Sequence, residues 1–159
     1  MILVDTSIWI DHLRGDNAAL KRLLNAGGVL THPFVIGELA LGRMRQREII
    51  LAALSDLPRA ELATDAEVLG FINREGLFGR GVGYIDVHLL ASVRLTAGAE
   101  LWTMDTRLRH VAEDMGLAMT PRRLVGRWQS PGAYRHPPPR TKMLEKGERR
   151  PAWRASRAL

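Results

Sequence analysis

Four acidic residues stand where a carboxylate needs a reason. Asp5 ends the apolar run Ile2-Leu3-Val4 and is followed at once by two hydroxyl residues, Thr6 and Ser7. Asp105 comes just past Leu101-Trp102-Thr103. Glu38, in PFVIGELALG, has Phe34, Val35, Leu41 and Gly42 at helical spacing, so it is expected inside an apolar stripe. Asp86, in GVGYIDVHLLAS, shares a stripe with Val82, Leu89, Leu90 and Val93. Each alone has a plain reading: Asp5 and Asp105 as helix N-caps, Glu38 and Asp86 as acids answered by an arginine or a helix end. Together they compete for few cations, since Lys21 is the only lysine before residue 121. Two carboxylates about 4 Å apart repel by about 4 kcal/mol at an effective dielectric near 20. Such a group raises its own pKa values or recruits a multivalent cation. With no cysteine in the chain, oxygen donors at a partly hydrated site favour Mg²⁺ or Mn²⁺ over zinc. The chemistry that follows is phosphodiester cleavage, where metal ions activate water and neutralise the attacked phosphate.

The elements that must position these acids are short and alternate. Ile2 to Val4 is predicted as a buried strand, Ser7 to Arg14 as a helix stopped at Gly15, and the next helix as capped by Asp16 and ended by Gly27. Val29 to Thr31 is a second strand, and Pro33 opens a helix through Leu41. Further helices are expected over Arg47 to Leu54, from the capping box Thr64-Asp65-Ala66-Glu67 through Glu75, over Tyr84 to Thr96, and over Asp105 to Met115. Leu101 to Thr103 and Leu117 to Met119 read as strands, with a weaker one near Ala60 to Ala63. Apolar strands alternating with helices predict a mostly parallel sheet flanked by helices. Ligands collect beyond the carboxyl ends of such strands, and parallel strands would bring Asp5 and Asp105 out at one edge.

The length, 159 residues, and the 46% hydrophobic content suit one domain with a proper core. No run is long or apolar enough to span a bilayer, and the start lacks the basic residues and cleavage site of a signal peptide, so a cytoplasmic protein is expected. The net charge of +6 is unevenly shared: residues 1–120 hold 12 basic against 15 acidic side chains, and residues 121–159 hold 11 against 2. Basicity therefore belongs to the tail, whose proline and arginine content predicts a flexible extension over 126–159.

The stretches ILVDTSIWIDHLR, THPFVIGELALG, GVGYIDVHLLAS and LWTMDTRL, in this order, resemble the PIN-domain family, and within it the VapC-type ribonuclease toxins of type II toxin–antitoxin pairs. The resemblance covers about residues 1 to 125. It implies a three-layer α/β/α sandwich with a mostly parallel central sheet, and Mg²⁺- or Mn²⁺-dependent endonucleolytic cleavage of RNA by metal-activated water. It carries the acidic site onto Asp5, Glu38, Asp86 and Asp105, with Asp5 and Asp86 as core metal ligands. Glu38 and Asp105 complete the pocket and could position or deprotonate the water. Thr6, Ser7 and Thr103 match the family's supporting hydroxyls, and Thr6 or Ser7 could equally serve only to cap the following helix. The resemblance also implies a cognate VapB-like antitoxin that blocks the groove, and a homodimer.

Other readings are weaker on residue type. A receiver-type phosphoacceptor needs a late lysine, and a dehalogenase-like phosphatase needs an aspartate where Ser7 stands. A non-catalytic PIN-like module that binds RNA or protein is opposed by the intact acidic quartet. GRGVG, Gly79 to Gly83, lacks dinucleotide-binding spacing and reads mainly as a loop, with Arg80 a possible phosphate contact. His12, His32, His88 and His110 form no ligand spacing. Because the body is acidic and RNA is a polyanion, an arginine patch from Arg43, Arg45, Arg47 and Arg80 is expected to help hold the substrate.

Overall fold

The computed structural model describes residues 1–119. Three strands, β1 (Ile2–Val4), β2 (Val29–Leu30) and β3 (Glu100–Trp102), form a sheet of order β2-β1-β3. All pairing is parallel, with Leu3 opposite both Leu30 and Leu101. Among the described residues seven helices surround the sheet: α1 (Thr6–Gly15), α2 (Ala18–Asn25), α3 (Pro33–Leu41), α4 (Arg47–Ser55), α5 (Asp65–Arg74), α6 (Tyr84–Leu95) and α7 (Thr106–Asp114).

Consecutive strand residues point to opposite faces of a sheet. Ile2, Leu3 and Val4 are all at 0% exposure, so both faces of the central strand are covered. That is why its sequence is a continuous apolar run rather than an alternating one. The result is an α/β/α sandwich, with Ile8, Leu20, Val35, Val68, Leu90 and Leu108 bringing helices onto the sheet core. No helix among the described residues is long and apolar enough to cross a membrane.

Local chemistry explains where the elements begin. Thr64 and Glu67 exchange the reciprocal bonds of a capping box at α5, and Pro33 occupies the first turn of α3, where its missing N–H costs nothing. The α1–α2 corner differs from expectation. Asp16, not Gly15, takes the left-handed conformation that ends α1 (φ 63°), and Asn17 caps α2 by accepting from the N–H groups of Ala19 and Leu20. Asp16 is instead paired with Lys21. The strands expected near Ala60 to Ala63 and over Leu117 to Met119 reduce to isolated parallel bridges, Thr31 to Arg59 and Leu101 to Ala118. The extension expected over 126–159, and the boundary at 125, lie outside the described residues.

Candidate active site

The site begins with strand register. Val4 lies opposite Trp102, and the Asp5 N–H donates to the Trp102 carbonyl at 3.0 Å. The next residues, Asp5 and Thr103, therefore emerge side by side at the carboxyl edge of the sheet. The Thr103 hydroxyl donates to Asp5 Oδ2 at 2.8 Å and accepts from the Asp105 N–H at 3.0 Å. One buried hydroxyl thus ties together two acids that are 100 positions apart in the chain. The Ser7 hydroxyl donates to the same Asp5 oxygen at 2.6 Å and accepts from the Met104 N–H at 3.0 Å.

Asp5 is also the N-cap of α1, accepting from the Ser7 N–H. Asp105 is the N-cap of α7, with Oδ1 taking the Leu108 N–H at 2.9 Å. Cap and site are here the same residue, because strands in this fold run straight into helices. From α3, Glu38 Oε2 accepts the Thr6 hydroxyl at 2.6 Å, which joins Glu38 to the residue beside Asp5. From the first turn of α6, Asp86 Oδ2 accepts the Gly83 N–H at 2.8 Å. Glu38 is exposed rather than facing the core. The stripe around it divides, with Val35 buried while Phe34 and Leu41 face solvent, so it lines an open groove. Asp86 is half-buried and Asp5 buried.

The electrostatics join the four. The Asp86 carboxyl is held above its ordinary value, first by burial, and further by the charges of Asp5, Asp105 and Glu38; the Gly83 N–H opposes the shift. None of the four acids forms an ion pair among the described residues. Each has one oxygen fixed by a protein donor and one without such a donor. That arrangement leaves four hard oxygen donors in a field of uncompensated negative charge, which fits a divalent cation such as Mg²⁺. Among the described residues no group of three acids or histidines is close-set enough to hold an ion by itself. Asp5, Glu38, Asp86 and Asp105 would hold such a cation together with water, which Mg²⁺ keeps when it binds.

Two of the histidines have other work. His32 caps α3, its Nδ1 accepting from the Phe34 N–H, and its Nε2 meets the Ser92 hydroxyl. His88 is buried between the rings of Phe34 and Tyr84, with Nε2 3.5 Å from Asp65. Of the expected arginine patch, Arg47 is spent on structure, its guanidinium forking onto the Ala40 carbonyl. Arg80 is paired with Asp114. Arg43 and Arg45 remain, lining a cavity beside Glu38 together with Arg14. Sequence reasoning passed over Arg14, although Thr6, Ile10, Leu13 and Arg14 fall at the spacings that share one helix face.

A family model described as PIN domain matches residues 2–114. Two curated relatives, both called Ribonuclease VapC32, come from Mycobacterium tuberculosis strains CDC 1551 / Oshkosh and ATCC 25618 / H37Rv. Each is 47% identical over 119 residues, covering 75% of this chain and 96% of the relative.

Proposed function

The chain belongs to the PIN-domain family, and from that premise we propose that it is a VapC-type endoribonuclease, the toxin of a type II toxin–antitoxin pair. It hydrolyses RNA phosphodiester bonds with the help of Mg²⁺ or Mn²⁺, in the cytoplasm, and is restrained by a VapB-like antitoxin. What supports the reading is the common field felt by Asp86 from Asp5, Asp105 and Glu38, with no ion-pair partner for any of them among the described residues.

Asp5 and Asp86 would hold the cation through the oxygens not engaged by Ser7, Thr103 and Gly83. When bound there, it supplies neutralisation of the attacked phosphate and lowers the pKa of a water. Glu38 and Asp105, both exposed, are the acids able to orient that water and take its proton. Ser7 and Thr103 keep the Asp5 carboxylate from turning, since both donate to the same oxygen. Thr6 does the same for Glu38. Homodimerisation belongs to this proposal as a family expectation.

The test is to incubate the protein with total RNA in Mg²⁺, Mn²⁺ or chelator, beside Asp5→Asn. Defined fragments are expected only with metal and only from the unsubstituted chain. Equal cutting by Asp5→Asn would remove the acids from the chemistry. Metal-dependent RNA binding without cutting by the unsubstituted chain would favour the non-catalytic reading.

A further inference from the structure

We infer that Arg107, laid across Gly81 at the start of α7, grips a phosphate of the RNA strand on the α7 side of the acids; the inference rests on the ribonuclease reading.

The order of the sheet places Arg107 there. With β1 in the middle, β2 and β3 are the outer strands, so α3 and α7, which follow them, leave opposite ends of the carboxyl edge. Asp105 caps α7, and Arg107 lies exposed in the first turn, two residues further on. The loop 77–83, which runs into α6 and Asp86, packs at this same end. A methyl group on Gly81 would stand 3.3 Å from Arg107 Cδ and 3.7 Å from its Nε and Nη1. The arginine stem therefore lies over bare backbone. Two residues later the Gly83 N–H holds Asp86. Arg107 thus belongs to the segment that carries Asp105 and rests on the one that leads to Asp86.

The loop is a fixed shelf. Leu77 is buried at one end of it, Arg80 is paired with Asp114 on α7, and Gly83 is tied to Asp86 at the other end. Gly81 has a φ of 74°, a conformation that residues with a Cβ avoid. Glycine is required here twice, by the turn and by the arginine that crosses it. A stem held along such a shelf keeps its charged head in water. It also has less freedom to lose when the head binds.

Charge decides what the head takes. Arg80, Arg109 and Arg94 are answered by Asp114, Glu113 and the Met115 carbonyl. Arg107 has no ion pair or hydrogen bond among the described residues. The charges that act on the Asp86 carboxyl are those of Asp5, Asp105 and Glu38, all acidic, so Arg107 is not spent on neutralising it. A strand of RNA approaching these acids is repelled by them. A guanidinium beside them supplies attraction where a phosphate has to come, and its planar fork takes a phosphate through two hydrogen bonds.

The experiment measures binding of a fluorescent 12-nucleotide single-stranded RNA to the full chain in chelator, as a function of KCl, together with cleavage in Mg²⁺. For single strands each phosphate contact contributes about 0.7 to the slope of log K against log salt. Arg107→Ala is expected to lower the slope by that amount and the affinity about tenfold, the size of a charge-assisted hydrogen bond. KM should rise with kcat nearly kept, as for a contact made equally before and during reaction. Arg107→Lys should restore the slope but only part of the affinity, since it keeps the charge and loses the fork. Gly81→Ala should weaken binding in the wild-type chain and cost nothing further in Arg107→Ala, because the two act as one unit. Arg109→Ala removes the same charge from the same helix and should change neither slope nor KM. Arg107 is exposed, so an unchanged melting temperature will show that the fold survives. Wild-type slope, affinity and KM in Arg107→Ala overturn the inference while leaving the ribonuclease reading intact. Equal losses in Arg109→Ala overturn it in favour of the general field of the helix. A fall in kcat with RNA binding unchanged overturns it too, and makes Arg107 a support for Asp105. Wild-type protein that neither binds nor cuts RNA defeats the ribonuclease reading itself.

Discussion

Thr103 is the smallest group on which the site depends. Its buried hydroxyl serves Asp5 as a donor and the Asp105 backbone as an acceptor. Thr103→Val keeps the shape and β-branching but leaves an N–H and a carboxylate oxygen short of a partner, which costs about 1–3 kcal/mol. Residues that orient metal ligands cost roughly 10–100-fold in activity when removed, so cleavage should fall in that range, with Thr103→Ser restoring most of it. Equal activity in the valine variant would show that Asp5 needs no such support. Asp86 offers a second test with the opposite sign for stability. Its raised pKa means that the folded state holds a proton there more tightly than the unfolded chain does. Stability is thus lost as pH rises from the ordinary carboxylate value through the raised one. Asp86→Asn keeps an acceptor for the Gly83 N–H and removes the charge. In chelator it should melt higher than wild type at pH 7, lose that advantage in acid below the ordinary carboxylate pKa, and cleave nothing. A lower melting point at pH 7 would mean that the carboxylate is not under strain.

Helix ends show where local chemistry suffices and where it does not. The capping box of α5 and the proline of α3 are self-contained signals, and both elements start where their residues say. At α1–α2, Asp16 and Asn17 are adjacent and equally able to cap. The choice went to Asn17, whose side chain also reaches Asp11 while Asp16 takes Lys21; such contacts are invisible to spacing alone. The expected strands at Ala60 to Ala63 and Leu117 to Met119 carry enough apolar residues for burial but find only single bridges at the sheet's edges. The cap of α3 adds a consequence for pH. His32 is 2% exposed and its pKa is pushed down to about 4, by burial and then by His88. The unfolded chain takes up this proton near 6.5 and the fold resists until about 4. Stability is therefore full above 6.5 and declines as pH falls through that window, by up to about 3 kcal/mol. His32→Asn retains a capping acceptor without the titration. Urea melts between pH 6.5 and 4 should show a shallower decline for the variant, and an equal decline would place the acid sensitivity elsewhere.

Over the whole molecule, the site is a consequence of parallel strands meeting helices at one edge. That much could be read from residue order: two apolar runs, one ending in Asp5 and the other followed by Asp105, must surface together if the strands are parallel, and both acids meet the Thr103 hydroxyl. The side of α3 on which Glu38 lies was less legible, because an apolar stripe looks the same whether it faces a core or a groove. Glu38, which lines the cavity beside α1, shows the latter, while Leu41 at 89% exposure faces solvent. The sharing out of arginines was not legible at all, since whether Arg47 meets a phosphate or the Ala40 carbonyl depends on where its loop turns. The same distribution of charge makes the folded state a ligand-dependent quantity. Four acids without counter-ions disfavour the metal-free fold, and a cation that binds only the folded chain adds RT ln(1 + [L]/Kd), about 2.7 kcal/mol at 100 times Kd. Mg²⁺ should then raise the melting temperature well beyond what KCl of equal ionic strength achieves, since monovalent salt only screens. Chelator should reverse the gain, and Asp5→Asn and Asp86→Asn should each lose most of it. If KCl matches Mg²⁺, the acids are responding to ionic strength alone, and the carboxylates at the sheet edge do not act together on one ion.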